Sequence, residues 1–117
     1  MATDIRAYLS LADVSAQKAR LVLDVVRGKP AVDASTTLKF LNKKAARLVF
    51  KLLNSAIANA EENFGVSRDD LVIHQIFADE GPTRKWRRFG ARGRFKPILR
   101  RSSHITIVVS EREGAAA

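Results

Sequence analysis

The sequence predicts an α+β fold: about three helices packed on a small antiparallel sheet, with a long basic β-hairpin protruding. Three observations carry this. Residues Ile5 to Leu11 alternate apolar and polar, the period of a half-buried strand. Two stretches, Ala16 to Arg27 and Asn42 to Asn63, repeat apolar residues at helical spacing. Between two Val/Ile-rich runs near the C-terminus lies the stretch Pro82 to Arg101, which holds no Asp or Glu. At 117 residues the chain is one domain, 1–117, with 82–101 as its arm.

Each element follows from local chemistry. In the first strand Ile5, Ala7, Leu9 and Leu11 are read as the core face. Ser15 has the short hydroxyl side chain of a helix N-cap. Ala19, Val22, Leu23 and Val26 then mark one helix face, and Gly28 supplies the stop. Pro30 opens a short helix from Ala31 to Phe40, weakened by Thr36 and Thr37. Asn42 is the N-cap expected for the long helix, which ends at Gly65. Its stripe Ala45, Leu48, Val49, Leu52, Leu53, Ala56, Ile57 and Ala60 makes it the central helix. Leu71 to Ala78 and Ile105 to Val109 read as strands. The simplest path between them is one long antiparallel hairpin, with its base in the sheet. The Gly114 to Ala117 tail is read as frayed.

The charge is concentrated. From Pro82 to Arg101 the basic residues are Arg84, Lys85, Arg87, Arg88, Arg92, Arg94, Lys96, Arg100 and Arg101. The remaining 97 residues carry 12 basic and 12 acidic side chains, so the whole excess of +9 sits in this one segment. A neutral body with a cationic arm is the footprint of a polyanion-binding protein. Arg forks phosphate and stacks on bases, and Trp86, Phe89 and Phe95 interleave with it. This mixture suits irregular folded RNA better than duplex DNA, which is usually read by a helix in the major groove. Gly81, Gly90 and Gly93 permit tight turns and close backbone approach. Like charges repel along the arm, so it is expected to be mobile when free and to order on its anionic partner.

The two longer helices carry their charges backwards. Lys18 and Arg20 lie near the start of one; Lys43 and Lys44 open the other, and Glu61 and Glu62 close it. Each mismatch with the helix dipole costs about 0.3–1 kcal/mol at low salt. A positive helix start is, however, a good place for phosphate. The body is therefore expected to touch the polyanion as well.

Other classes are excluded or disfavoured. Cys is absent, so there are no disulfides, thiolate metal sites or cysteine nucleophiles. No apolar run is long enough to span a membrane. The start, Met1-Ala2-Thr3-Asp4, lacks a signal-peptide pattern, and the expected compartment is the cytoplasm. The histidines, His74 and His104, are read as packed or hydrogen-bonded strand residues. Asp79 and Glu80 are neighbours in extended chain and point apart, so a turn role or an arginine partner is expected rather than catalysis. No enzyme, cofactor, metal, membrane or homo-oligomer is expected. The amphipathic long helix is read as core-facing rather than membrane-facing.

Several stretches resemble one family. They are Ser15-Ala16-Gln17-Lys18-Ala19-Arg20-Leu21-Val22 with Arg27-Gly28-Lys29; Asn42-Lys43-Lys44-Ala45-Ala46 running on to Ser55 through Glu61; Asp79-Glu80-Gly81-Pro82; and Arg92-Gly93-Arg94 followed by Ser103-His104-Ile105-Thr106. In this order they resemble the bacterial-type large-subunit ribosomal protein twenty-two family, over nearly the whole chain. The resemblance implies binding to large-subunit rRNA, support of its assembly, and neighbouring ribosomal proteins as partners. It also implies a hairpin along the nascent-peptide exit tunnel, close to where macrolides bind. Lys18, Arg20, Arg27, Lys43 and Lys44 match its RNA-facing body positions. Gly81, Pro82, Lys85, Arg92, Gly93, Arg94 and Arg101 match its hairpin, and His104 and Thr106 its return strand. At the tip Trp86-Arg87-Arg88-Phe89-Gly90 departs from the apolar residues and Pro-Arg pair common in the family. The alternative is a stand-alone RNA chaperone or nucleoid-type binder using the same arm.

Overall fold

The computed structural model describes residues 4–89 and 91–111; for 84–89, 91 and 95–98 only the backbone is described. The Gly114 to Ala117 tail, expected to be frayed, lies outside the described residues. In order the elements are β1 (Asp4–Ala12), α1 (Ala16–Val26), α2 (Ala31–Phe40), α3 (Lys44–Phe64), a 3-10 turn (Arg68–Asp70) and β2 (Leu71–Glu80). Then follow β3 (Arg84–Phe89), a second 3-10 turn (Ala91–Gly93), β4 (Phe95–Arg100) and β5 (Ser103–Glu111). The fold is the expected α+β arrangement. Three helices cover one face of a sheet ordered β1-β5-β2, and β3 and β4 form a separate two-stranded ladder.

The central strand is β5, antiparallel to both neighbours. Its Ile105, Ile107 and Val109 enter the core beneath the helices, against Val22, Leu23, Val49 and Leu53. Its other face is covered too: Val108 is 2% exposed. The register explains this, because Val108 lies between Arg6 of β1 and Gln75 of β2. Neighbouring side chains on the same rung close over it.

Local signals set the helix ends. Ser15 caps α1 as expected, its Oγ accepting from the Lys18 amide at 3.3 Å. Gly28 and Gly65 follow α1 and α3 with φ of 77° and 66°, the left-handed region that favours glycine. The start of α3 differs from expectation: Lys43, not Asn42, is the N-cap, and no side chain caps this helix. The Lys43 amide instead bonds back to the Leu41 carbonyl at 3.0 Å, a turn that carries the chain one residue past Asn42.

Two strand readings are corrected by bulges. Leu11, expected on the core face, is 55% exposed with a φ of 55°. The β1–β5 register slips between Leu9 and Ala12, so Ala12 takes the core position. The Leu11 amide is not lost, since it donates to His104 Nδ1 at 3.1 Å. The second slip lies in β2, between Ile73 and Gln75. His74 is the extra residue there and is exposed, against the expectation of a packed or hydrogen-bonded histidine. His104 fulfils that expectation through Leu11 and through a stack on Tyr8 with ring centroids 6.0 Å apart.

The outer edge of β2 is closed by α1 and the loop after it. Arg20 donates from Nε and Nη2 to the Ala78 carbonyl at 3.2 and 2.9 Å. Arg27 donates to the Ile76 carbonyl at 2.9 Å and pairs with Asp24. The Ile73 amide donates to the Lys29 carbonyl at 3.1 Å. An edge strand would otherwise present these groups to another chain.

The hairpin is not one uninterrupted ladder. Pairing stops after Glu80 and resumes at Arg84, opposite Arg100. At the break Gly81 donates its amide to the Ser102 carbonyl at 2.9 Å, and Ser102 Oγ donates to the Pro82 carbonyl at 2.8 Å. A Cβ at Gly81 would lie 2.6 Å from Ser102 Oγ and 3.3 Å from the Ser102 backbone carbon, so only glycine fits without a shift. Beyond this neck the ladder projects, and the molecule measures 70 × 24 × 19 Å.

Two stability outcomes follow from these contacts. Arg20→Met removes a charged donor from the β2 edge and is expected to cost about 1–2 kcal/mol, read by urea denaturation of the free protein. Gly81→Ala is expected to cost about 1–3 kcal/mol by overpacking, and Ser102→Ala should recover part of this in the double variant. Unfolding midpoints unchanged in both single variants would refute the edge and neck roles.

Candidate nucleic-acid interface

The first turns of α1 and α3 open side by side toward the root of the arm. Between them lies a groove of about 920 Å³, lined by Asp13, Ser15, Lys18, Leu21, Lys43, Lys44, Glu80, Gly81, Thr83, Leu99, Arg100, Arg101 and Ser102, among others. Five cations that the sequence places in three separate segments, Lys18, Lys43, Lys44, Arg100 and Arg101, share this wall with two carboxylates, Asp13 and Glu80. All five are exposed.

The helices add to this field. Neither α1 nor α3 has an acidic residue in its first turn. No side chain caps α3, the Ala46 amide turns back to the Lys43 carbonyl at 3.2 Å, and the helix dipole reinforces the lysines at this end. At the far end of α3, Glu61 is compensated by Arg68 at 2.8 Å.

One acid tempers the groove. Lys44 Nζ lies 3.0 Å from Asp13 Oδ2, and both side chains are well exposed. The hydrogen bond and charge of Lys44, with a further contribution from Arg100, hold the Asp13 carboxyl below its ordinary 3.8. An exposed pair of this kind adds little to stability. Its consequence is local: it neutralises a lysine that would otherwise face an anion.

The sequence-predicted residues separate into groups. Lys18, Lys43, Lys44, Arg100 and Arg101 come together in the groove. Arg20 and Arg27 do not join them, because both reach to β2 carbonyls on the sheet edge. Each is still exposed and keeps N–H donors to spare. His104 sits beneath the arm with Nδ1 occupied by Leu11. Asp79 and Glu80 end β2 exposed, opposite His104 and Ser103 in register, and no arginine among the described side chains pairs with them.

Along the arm, Arg84 faces Arg100 and Arg88 faces Lys96 across the ladder. Like charges directly opposite are destabilising in a free hairpin. The side chains of Arg84, Lys85, Trp86, Arg87, Arg88 and Lys96 lie outside the described residues, so for these only the register is established. At the tip, Arg92 and Gly93 take left-handed backbone, with φ of 58° and 71°. Arg94 follows, exposed, before β4 begins. Sequence reasoning missed Asp13, since nothing local marks an acid that pairs with a lysine 31 residues away.

A neutral body, a cationic groove between two helix starts and a cationic arm rooted in that groove define a polyanion-binding class of protein. The comparison with known families narrows the class. The family model for ribosomal protein L22p/L17e matches residues 7–110, and the chain belongs to this family of large-subunit ribosomal proteins. The family is one of structural ribosomal proteins, not of enzymes. Among the described residues no cluster of His, Asp and Glu could hold a metal, and no helix is long and apolar enough to cross a membrane.

The Asp13–Lys44 pair gives a checkable sign. The folded-state carboxyl is depressed, so whatever stability the pair contributes is present above the ordinary carboxylate pKa and lost as pH falls through the depressed one. In an NMR titration Asp13 is expected to ionise below 3.8, and Lys44→Gln is expected to move it back up. Asp13→Asn frees Lys44 and should tighten RNA binding at low salt; weaker binding would refute the tempering role.

Proposed function

We propose that the protein binds large-subunit rRNA through the groove and arm together, supports the assembly of that RNA, and lines the nascent-peptide exit tunnel with its hairpin. The observation that carries this reading is the groove itself. It gathers Lys18, Lys43, Lys44, Arg100 and Arg101 at the point where the arm leaves the body. An RNA segment lying there meets helix amides, lysines and arginines at once, and its continuation meets the other seven basic residues of 82–101. Arg20, Arg27 and His104 stand as further contacts, acting through their free faces while they hold the fold.

The mechanism is structural. The body docks on folded RNA and the arm passes between RNA segments, where its charges screen phosphate repulsion. The register sets Arg84 opposite Arg100 and Arg88 opposite Lys96, and phosphate beside these rungs would offset the like charge. The neck fixes where the arm leaves the body. Neighbouring ribosomal proteins and the nascent peptide are the remaining partners, and the cytoplasmic ribosome is the location. The tip sequence Trp86-Arg87-Arg88-Phe89-Gly90 would present a bulkier, more cationic end to the tunnel than is common in the family.

Binding of the full chain to large-subunit rRNA transcribed in vitro tests this. Neutralising roughly six to nine phosphates gives a slope of log K against log[salt] of roughly −4 to −8. A slope shallower than about −2 would refute the extended phosphate contact. Lys43→Gln with Arg101→Gln is expected to reduce the slope by about 2. Comigration with large subunits in high-salt sucrose gradients separates this reading from the stand-alone binder, which would remain in light fractions.

A further inference from the structure

The connector from α2 to α3 carries a second surface that the groove and arm do not use. Phe40, the last residue of α2, is 77% exposed, the most of any large apolar residue among those described. It borders a hollow of about 470 Å³ shared with Phe50, Lys39, Arg47 and Lys51. The three cations are exposed, and no carboxylate lines the hollow. Lys39 Nζ stands 6.0 Å from the centre of the Phe40 ring.

This arrangement is poor for a free protein. Arg47 and Lys51 are four residues apart on α3, where like charges repel. Phe40 presents its ring to water while α2 sends Ala31, Ala34 and Leu38 into the core. Both features are satisfied by a ligand with a flat apolar face and negative charge beside it. An unstacked nucleotide has this chemistry.

We propose that the hollow holds an unpaired nucleotide of the rRNA, its base stacked on Phe40 and its flanking phosphates held by Lys39, Arg47 and Lys51. The proposal rests on the rRNA-binding reading above and adds a site to it. Continuity supports it: Asn42 lines the hollow and Lys43, the next residue, lines the groove. An RNA strand leaving the groove around the start of α3 thus arrives at Phe40. A purely apolar hollow would favour a protein partner, whereas three cations without an acid favour a polyanion.

The test uses the full chain and in-vitro-transcribed large-subunit rRNA, with Phe40→Ala, Phe40→Tyr and the triple variant K39Q/R47Q/K51Q. Because Phe40 is exposed, Phe40→Ala should keep the wild-type melting temperature. It is expected to weaken binding about five- to tenfold with little change in salt slope, since stacking rather than charge is lost. Phe40→Tyr should bind within about twofold of wild type, because a ring of the same size still stacks. The triple variant should reduce the salt slope by about 2. Wild-type affinity in Phe40→Ala and the triple variant, with weakened binding in K43Q/R101Q, would overturn this site and leave the rRNA reading standing. Unchanged affinity in every variant, K43Q/R101Q included, would overturn both. Wild-type RNA affinity in Phe40→Ala, with loss of a neighbouring protein from reconstituted subunits, would also overturn it and assign the hollow to that protein.

Discussion

Everything in this molecule hangs on β5. It pairs with β1 on one side and β2 on the other, and it is buried on both faces. It is also the strand by which the arm returns to the body. The most cationic segment of the chain is therefore continuous with its most apolar one. An isolated two-stranded hairpin is marginal in water, and one lined with like charges more so. Anchoring its return leg in the core gives the arm a fixed root, whatever its outer part does.

The neck between sheet and arm transmits that anchoring. Gly81, Pro82 and Ser102 interrupt the ladder without cutting it, because an amide–carbonyl bond and a hydroxyl bond bridge the gap. Beneath the neck, His104 joins the rim of β5 to the bulge at Leu11. That bulge leads directly into Asp13 and Ser15, and so into the start of α1 and one wall of the groove. Sheet irregularity, helix start and arm root form one connected region. It is the region where the cations converge.

Arginine serves two ends here. Arg20 and Arg27 close an edge strand, while Arg100 and Arg101 line the groove. The side-chain chemistry is the same: a planar fork of donors that suits a carbonyl as well as a phosphate. Position in the tertiary structure alone assigns the partner. Arginine–carbonyl contacts at the β2 edge let the chain use part of its positive charge to hold its own fold.

By itself the sequence determined the element types, the three-helix and sheet composition and the placement of the positive charge. These follow from side-chain period and from Ser15, Gly28 and Gly65, whose backbone and capping chemistry acts within a few residues. The family was legible too, because its motifs recur in order along the chain. Tertiary structure alone decided the bulges at Leu11 and His74, the split of the hairpin at Gly81, and the closing of β2 by Arg20 and Arg27. It also brought Asp13 against Lys44 and gathered three distant basic segments into one groove. Each of these depends on the register of strands or on contacts between residues far apart in the chain. Hydrophobic period fixes which face is buried, but the slip of one residue against a partner strand is set by the partner.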